Sequence, residues 1–534
     1  MRSSRAVAPV LAALAVAPAA AAGTGGDART TLAAVERLER LGRISVSEAD
    51  RHRTMVRRAR AVLVLLPGAR GDELAAVLAH VGRRAPGAGP ARLRVLTATL
   101  DANAEHLAVE AVPAPRADSR DADGIVYRAF PGFGLQFHPL ATFARLNALV
   151  SRGDRFGAAR LASRLLELGA RRDGSLLWSY EFPFGGGRPP WTSGMAQAVA
   201  AQALARAAAM LGAPALLDPA RRAFRALPGL VDQTSAGPWV RLYSFNRLVV
   251  LNAQLQSALS LAVYGRLAGN GRASALATGL RRAAAESLPR FDTGYWSRYT
   301  LAGEASLGYH TYVVKLLREL AEETGLRFWA RAASRFDRYS REPPRLRSRR
   351  VVPVLYPTPA DGWRDGASIR FWLSKRSVVS VRLGEEHTTL TLGQGVHAVR
   401  WSGVPRRPGD FAARLTAVDL NGNRASLRLP DLRVRVDRGP PRATAELDGR
   451  RLEWRVRDRG TPYLRLALVL RREGEVRVRD LGSREHRGSL RLRLPRRAWH
   501  AVLRVVDVSG NRTRVPLGPA GGSAGRSERL PTIA

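Results

Sequence analysis

The chain has no cysteine, and Lys315 and Lys375 are its only lysines in 534 residues. Without thiols there is no disulfide, no thiolate nucleophile and no thiolate metal site, and the absence fits either redox compartment. Nine histidines are present, none in an HExxH or other paired metal-ligand spacing. There is neither a Gly-x-Ser-x-Gly elbow nor a phosphate-binding loop. No metal and no cofactor are expected. Carboxylates are scarce: 45 Asp and Glu stand against 86 Lys and Arg, a formal net charge of +41 carried almost wholly by Arg. Two readings compete, Arg-rich codon bias and a surface that attracts polyanions. The Arg is spread throughout with no recognition motif, which argues against nucleic acid. An acidic polysaccharide or acidic envelope polymer is the partner that then fits. Beyond the first 22 residues no apolar run is long enough to span a membrane.

The start is apolar and poor in charge. Arg2 and Arg5 precede AVAPVLAALAVAPAAAA, and Ala20-Ala21-Ala22 offers a small-residue cleavage site before Gly23. The pattern predicts a signal peptide over 1–22. The mature chain is then secreted or held in the cell envelope, outside the cytoplasm, with no membrane span. An uncleaved anchor or an Ala-rich tail is the alternative.

Residues 28–118 read as helical. Leu32, Val35, Leu38 and Leu41 form one stripe, Ser45-x-x-Glu48 fits a capping box, and Asp72 can cap the run that follows it. Over 119–343 helices come in pairs, separated by short loops that hold most of the region's Trp and Tyr. This is the pattern of an α/α-toroid with its site built from loops at one end; a helical-repeat scaffold is the alternative. Aromatic loops suit sugar rings, whose C–H faces are apolar. IVYRAF alternates as a strand or hairpin does, and Gly132-x-Gly134 lacks the third glycine of a dinucleotide fingerprint. Residues 344–360 are Pro- and Arg-rich and read as a linker. Helical periodicity stops there. Short alternating strands over 361–438 and 440–517 predict two immunoglobulin-like β-sandwiches, with Val418-Asp419-x-x-Gly422-Asn423-Arg424 repeated at Val506-Asp507-x-x-Gly510-Asn511-Arg512. A disordered tail is expected over 518–534. The fold class is thus multidomain: mainly α, an α/α-toroid, followed by two all-β sandwiches.

Four motifs fall in one order. They are Trp191-Thr-Ser-Gly-Met-Ala-Gln197, Val250-Leu251-Asn252, Asp292-Thr293-Gly294 with Tyr299 five residues further on, and Tyr309-His310-Thr311 ahead of an amphipathic run. With Trp239-x-x-x-Tyr243, they resemble the C-terminal catalytic domain of the D-glucuronyl C5-epimerases from about Tyr127 to Tyr339. The resemblance implies an α/α-toroid that removes and returns the C5 proton of a uronate in an acidic polysaccharide. It carries catalytic roles to Tyr299, Tyr309 and Tyr243. In its motifs Gln197, Asn252 and Trp191, and near the domain's start His138, are substrate-binding candidates; so are Tyr180 in an aromatic loop and Arg298 and His310, the neighbours that could lower a tyrosine's pKa.

The chain departs from the family's pattern at two places. Where the family has Glu directly before the third tyrosine, this chain has Leu242, preceded by Arg241. Where the family has Arg three residues after the first tyrosine, it has Ala302. Glu181 and Asp123 could replace the lost carboxylate, and Arg298 or Arg241 the lost cation. Epimerisation needs a base on one face of the sugar, an acid on the other, and donors that stabilise the charge moving onto the carboxylate. The alternatives are a lyase, which abstracts the same proton and then expels the group at C4, and a catalytically inactive glycan-binding protein.

Overall fold

The computed structural model describes residues 24–351, 354–357, 366–401, 407–436, 439–458, 463–495 and 497–521; the expected signal peptide lies outside them. The chain divides into two units, one ending at Ser340 and one beginning at Arg341.

The first unit opens with four helices, α1 (Thr24–Arg40), α2 (Val46–Leu65), α3 (Gly68–Arg84) and α4 (Pro90–Val109). Ser45 caps α2 by accepting the Glu48 N–H at 3.2 Å. Asp72 caps nothing, because α3 begins four residues earlier, at Gly68. The expected boundary near 118 is absent. Leu93, Leu96, Leu100 and Ala104 turn one face of α4 into the core of α1–α3. Val95, Ala98 and Ala102 turn the other into the core of the helices that follow. Asn103 on α4 reaches a three-stranded sheet formed by Asp118–Arg120, Val126–Phe130 and Gly134–Phe137. Its side chain gives to the Leu135 carbonyl at 2.7 Å and takes the Leu135 N–H at 2.8 Å. Gly134, at φ +62°, allows this approach, because a Cβ there would lie 2.4 Å from Asn103 Oδ1.

Eight further helices follow: α5 (Pro139–Ser151), α6 (Arg155–Leu168), α7 (Gly194–Leu211), α8 (Leu217–Arg225), α9 (Leu251–Leu267), α10 (Gly271–Phe291), α11 (Leu307–Thr324) and α12 (Arg327–Arg341). Helices α5, α7, α9 and α11 stand side by side in that order, and α6, α8 and α10 pack behind α5, α7 and α9. Short β-hairpins precede α7, α9 and α11, at Ala170–Leu177, Val231–Val240 and Arg298–Glu304. One side chain repeats through this arrangement. The fourth residue of each inner helix is a buried polar strut. Gln197 gives to the Leu176 and Ala223 carbonyls and takes the Trp178 N–H. Gln254 gives to the Pro238 and Leu280 carbonyls and takes the Val240 N–H. His310 bonds the Phe336 carbonyl at 3.0 Å and Ser297 Oγ at 2.7 Å. Thr142 bonds Val126 N at 3.1 Å. Each ties the incoming strand to the inner helix, and the last three helices are also tied to an outer neighbour. Backbone groups inside so apolar a layer need such partners.

His80 on α3 makes a comparable tie, 2.8 Å to the Glu181 carbonyl. Burial pushes its pKa from 6.5 to about 4, with Arg83 and Arg84 acting in the same direction. The unfolded chain therefore takes up this proton first. The stabilisation is complete above about pH 6.5 and is lost as pH falls towards 4, at most about 3 kcal/mol. We expect the thermal midpoint to fall over that window and the slope to be shallower in His80→Gln.

The second unit is all β. Sheets ordered Leu346–Val351, Ala367–Leu373, Gly395–Trp401 and Val354–Leu355, Arg424–Val434, Gly409–Asp419, Ser377–Leu383, Glu386–Leu392 share a core that includes Phe371, Val381 and Leu415. A second pair of sheets, Arg442–Asp448, Arg451–Arg457, Arg487–Arg491 and Glu475–Arg484, Leu464–Arg472, Trp499–Val506, Arg512–Ala520, encloses Trp454, Leu468 and Leu503. The repeated Asp-x-x-Gly-Asn is a turn device. Asp419 and Asp507 each accept two backbone N–H groups and the Asn side chain four residues on. Two expectations change. Within 344–360, Leu346–Val351 and Val354–Leu355 are strands, because Leu346, Val351 and Leu355 pack on the first core. Within 518–534, the last strand runs to Ala520, which is buried in the second core. Among the described residues no helix is long and apolar enough to cross a membrane.

Candidate active site

The inner helices line an open cavity of about 700 Å³, within the usual range for small-molecule sites. Its lining follows helical periodicity: Ala141, Ala144, Ala148 and Ser151 on α5; Met195, Val199, Gln202 and Arg206 on α7; Tyr312, Lys315 and Glu319 on α11. Small residues on α5 leave the space, and the loops at the N-terminal ends of these helices form the mouth.

Three loops bring aromatics there. Tyr180 and Trp191 are joined by two backbone hydrogen bonds, and their rings stack at 4.0 Å and 3°. The Thr192 and Ser244 backbones join that loop to the one carrying Tyr243, whose ring lies 5.6 Å from Trp191. The turn at Asp292 holds the third loop. The Asp292 carboxylate accepts the Gly294 N–H at 2.8 Å, the Arg335 Nε–H at 2.7 Å and the Tyr339 hydroxyl at 3.0 Å. From this anchor the chain enters the hairpin that presents Tyr299. Ser306 caps α11 through Tyr309 N, which sets Tyr309 in the first turn with its ring 4.6 Å from that of Tyr299.

Tyr299 lies between Tyr243 and Tyr309. Burial, then these two neighbours, push its hydroxyl well above the usual tyrosine range, so it stays protonated. Burial also raises Tyr243, against a hydrogen bond with Tyr299. Tyr309 is the open member of the trio, 40% exposed. Burial, with Arg128 second, lowers His138 to about 3, so its ring is neutral. Among the described residues lining the cavity the one carboxylate is Glu319, paired with Lys315 at 3.3 Å.

Of the residues singled out from sequence, Tyr299, Tyr309, Tyr243, Asn252, Trp191, His138 and Tyr180 line the cavity. Three do not. Gln197 and His310 are fully buried struts, and Arg298 turns its guanidinium to the Leu301 carbonyl. The proposed compensations are elsewhere too. Glu181 is bound by Arg92 and Ser179, Asp123 faces Arg164, and Arg241 grips Asp232. Leu242 does reach the wall, in an apolar cluster with Met195, Val250 and Ala253. Sequence reading missed Arg128, beside His138, and a polar chain across the floor: Arg206 to Asn147, Asn147 to Gln202, Gln202 to Ser260, Ser260 to Gln256, and Gln256 to Tyr312. Polar residues at helical spacing on otherwise Ala-rich helices were the available signal.

Residues 172–338 match the family model of the D-glucuronyl C5-epimerase C-terminus. The match bears out the resemblance over that span and takes in Tyr180, Trp191, Tyr243, Asn252, Tyr299 and Tyr309; Arg128 and His138 precede it. No curated protein matches the chain. Among solved structures, a GH76 alpha-mannanase from Bacteroides thetaiotaomicron is 10% identical, with a TM-score of 0.30 over 38% of this chain and 59% of that one. An endoglucanase from Komagataeibacter sucrofermentans is 13% identical, with a TM-score of 0.28 over 37% and 71%. Fibronectin(III)-like modules of Clostridium thermocellum CbhA are 11% identical, with a TM-score of 0.21 over 35% and 99%. At these scores the likenesses carry no argument about this chain.

Proposed function

We propose that the protein is a D-glucuronyl C5-epimerase-like enzyme that acts on a uronic-acid polysaccharide outside the cytoplasm. The observation that carries this reading is the meeting of Tyr243, Tyr299 and Tyr309 at one cavity mouth, inside the segment that matches the family. Two tyrosines from different elements, a hairpin and a helix start, offer neighbouring hydroxyls to a bound ring. Tyr309, at the open side, takes the C5 proton as the tyrosinate, and Tyr299 returns a proton from its own hydroxyl; passage of the captured proton from Tyr309 to Tyr299, whose rings are 4.6 Å apart, restores both for the next turnover. Stacked Tyr180 and Trp191 supply an apolar platform for a sugar face. The paired helical layers are an α/α-toroid, and the two β units are immunoglobulin-like modules that space or bind. The net charge of +41 favours an acidic polymer.

Leu242 supports a second reading. With the family's Glu position apolar and no unpaired carboxylate on the described wall, a glycan-binding protein without turnover also fits. Incubating uronate polysaccharides with the protein in deuterated water separates the readings. Deuterium at C5 with both epimers is expected. An unsaturated, ultraviolet-absorbing chain end would make it a lyase, and binding without exchange would make it a binding protein.

A further inference from the structure

We propose that Arg128 and His138 form a carboxylate clamp in the cavity wall, one that holds the uronate carboxylate beside Tyr309. The identity of the sugar rests on the function proposed above; the anion rests on geometry alone. His138 is the N-cap of α5, and its Nδ1 accepts the Ala141 N–H at 3.1 Å. The ring is neutral and has one N–H, which that cap assigns to Nε2. Yet Nε2 lies 3.3 Å from Arg128 Nη1, which can only donate. Moving the proton to Nδ1 would free Nε2 to accept from Arg128 and would set Nδ1–H against the Ala141 N–H. One ring lone pair thus faces two donor neighbours, and in either tautomer one donor is unmatched. An acceptor oxygen bound to both Nε2–H and Nη1–H removes the conflict while α5 keeps its cap. Carboxylate is the suitable class, since charge-assisted bonds from guanidinium are the strong ones.

The clamp is held in place. Asp118 takes Arg128 Nε–H at 2.7 Å and Nη2–H at 2.9 Å, which fixes the guanidinium plane and leaves Nη1 for the cavity. The Tyr180 ring meets His138 edge-on at 5.4 Å. Arg128, His138 and Tyr309 line the same cavity. In a uronate the carboxylate is bonded to C5. Fixing it between Arg128 and His138 brings the C5–H to the tyrosines, and the cation steadies the charge that moves onto the carboxylate when the proton leaves. The resembled family has Arg where this chain has Ala302, and Arg128 brings a cation to the wall from another element.

Two probes test the clamp on the full chain. Sodium acetate is titrated while the His138 ring nitrogens are followed by NMR; Nε2 should shift in the wild type and stay still in Arg128→Gln. Binding of glucuronate and of glucose is then compared by calorimetry in the wild type, Arg128→Gln and His138→Asn. Asn can still cap α5, so the last variant should keep its thermal midpoint. We expect the wild type to prefer glucuronate and each variant to lose about 10- to 100-fold of that preference. No acetate response at Nε2 in the wild type overturns the clamp. So does a preference that survives in both variants, and in that case the uronate reading stands. An acetate response without any glucuronate preference leaves the clamp in place and removes the uronate as its ligand.

Discussion

Tyr299→Phe is expected to reduce C5 exchange by about 10²-fold or more, the scale of losing a general acid–base group. The substitution removes one oxygen and keeps the ring, so contacts with Tyr243 and Tyr309 survive. Its thermal stability should change by no more than a hydrogen bond's worth, about 1 kcal/mol. Tyr309→Phe should show a loss of similar size. The two differ in a further respect. Tyr299 is half-buried and held neutral between two hydroxyls, whereas Tyr309 is at the open side of the mouth. Solvent deuterium should therefore reach the sugar more slowly through Tyr299, and the ratio of the two epimers in the first turnovers should change in opposite directions in the two variants. Full exchange activity in both would make the tyrosines structural and move the chemistry elsewhere in the cavity.

Gln197→Ala should have its largest effect on stability. The side chain is fully buried and serves three backbone groups, the Trp178 N–H and the Leu176 and Ala223 carbonyls. Removing it leaves all three without a partner in an apolar layer, a cost of about 3 kcal/mol or more. Gln254→Ala should cost as much for the same reason, at Val240, Pro238 and Leu280. Chemical denaturation measures both. A loss confined to ligand affinity, with the unfolding midpoint unchanged, would return Gln197 to the binding role its motif implied.

That pair shows where reading the chain reached its limit. In the Trp191–Gln197 motif Trp191 lines the cavity, but Gln197 six residues later is a buried strut outside its lining. Tyr309 and His310 are adjacent, yet one lines the mouth and the other bonds Phe336 on α12. In a helix, consecutive side chains point about 100° apart, so a motif identifies a turn of helix and not which member faces a ligand. Departures were legible as departures only. Leu242 replaces a carboxylate in the cavity wall, whereas Arg241 beside it is spent on Asp232, and neither fact follows from composition.

The sequence by itself determined the division into helical and β halves, because the hydrophobic period changes near Arg341 and period alone separates the two. It determined the aromatic loops and the tyrosines, because their order matches a family pattern. The tertiary structure decided the rest. It merged the N-terminal helices with those that follow, since α4 is apolar on two faces. It drew Leu346, Val351, Leu355 and Ala520 into cores that stretches read as linker and tail were not expected to join. It also placed Arg128, a strand residue without any motif, against His138. That contact joins a strand to a helix cap ten residues away, and only the fold sets the distance and direction between two such donors.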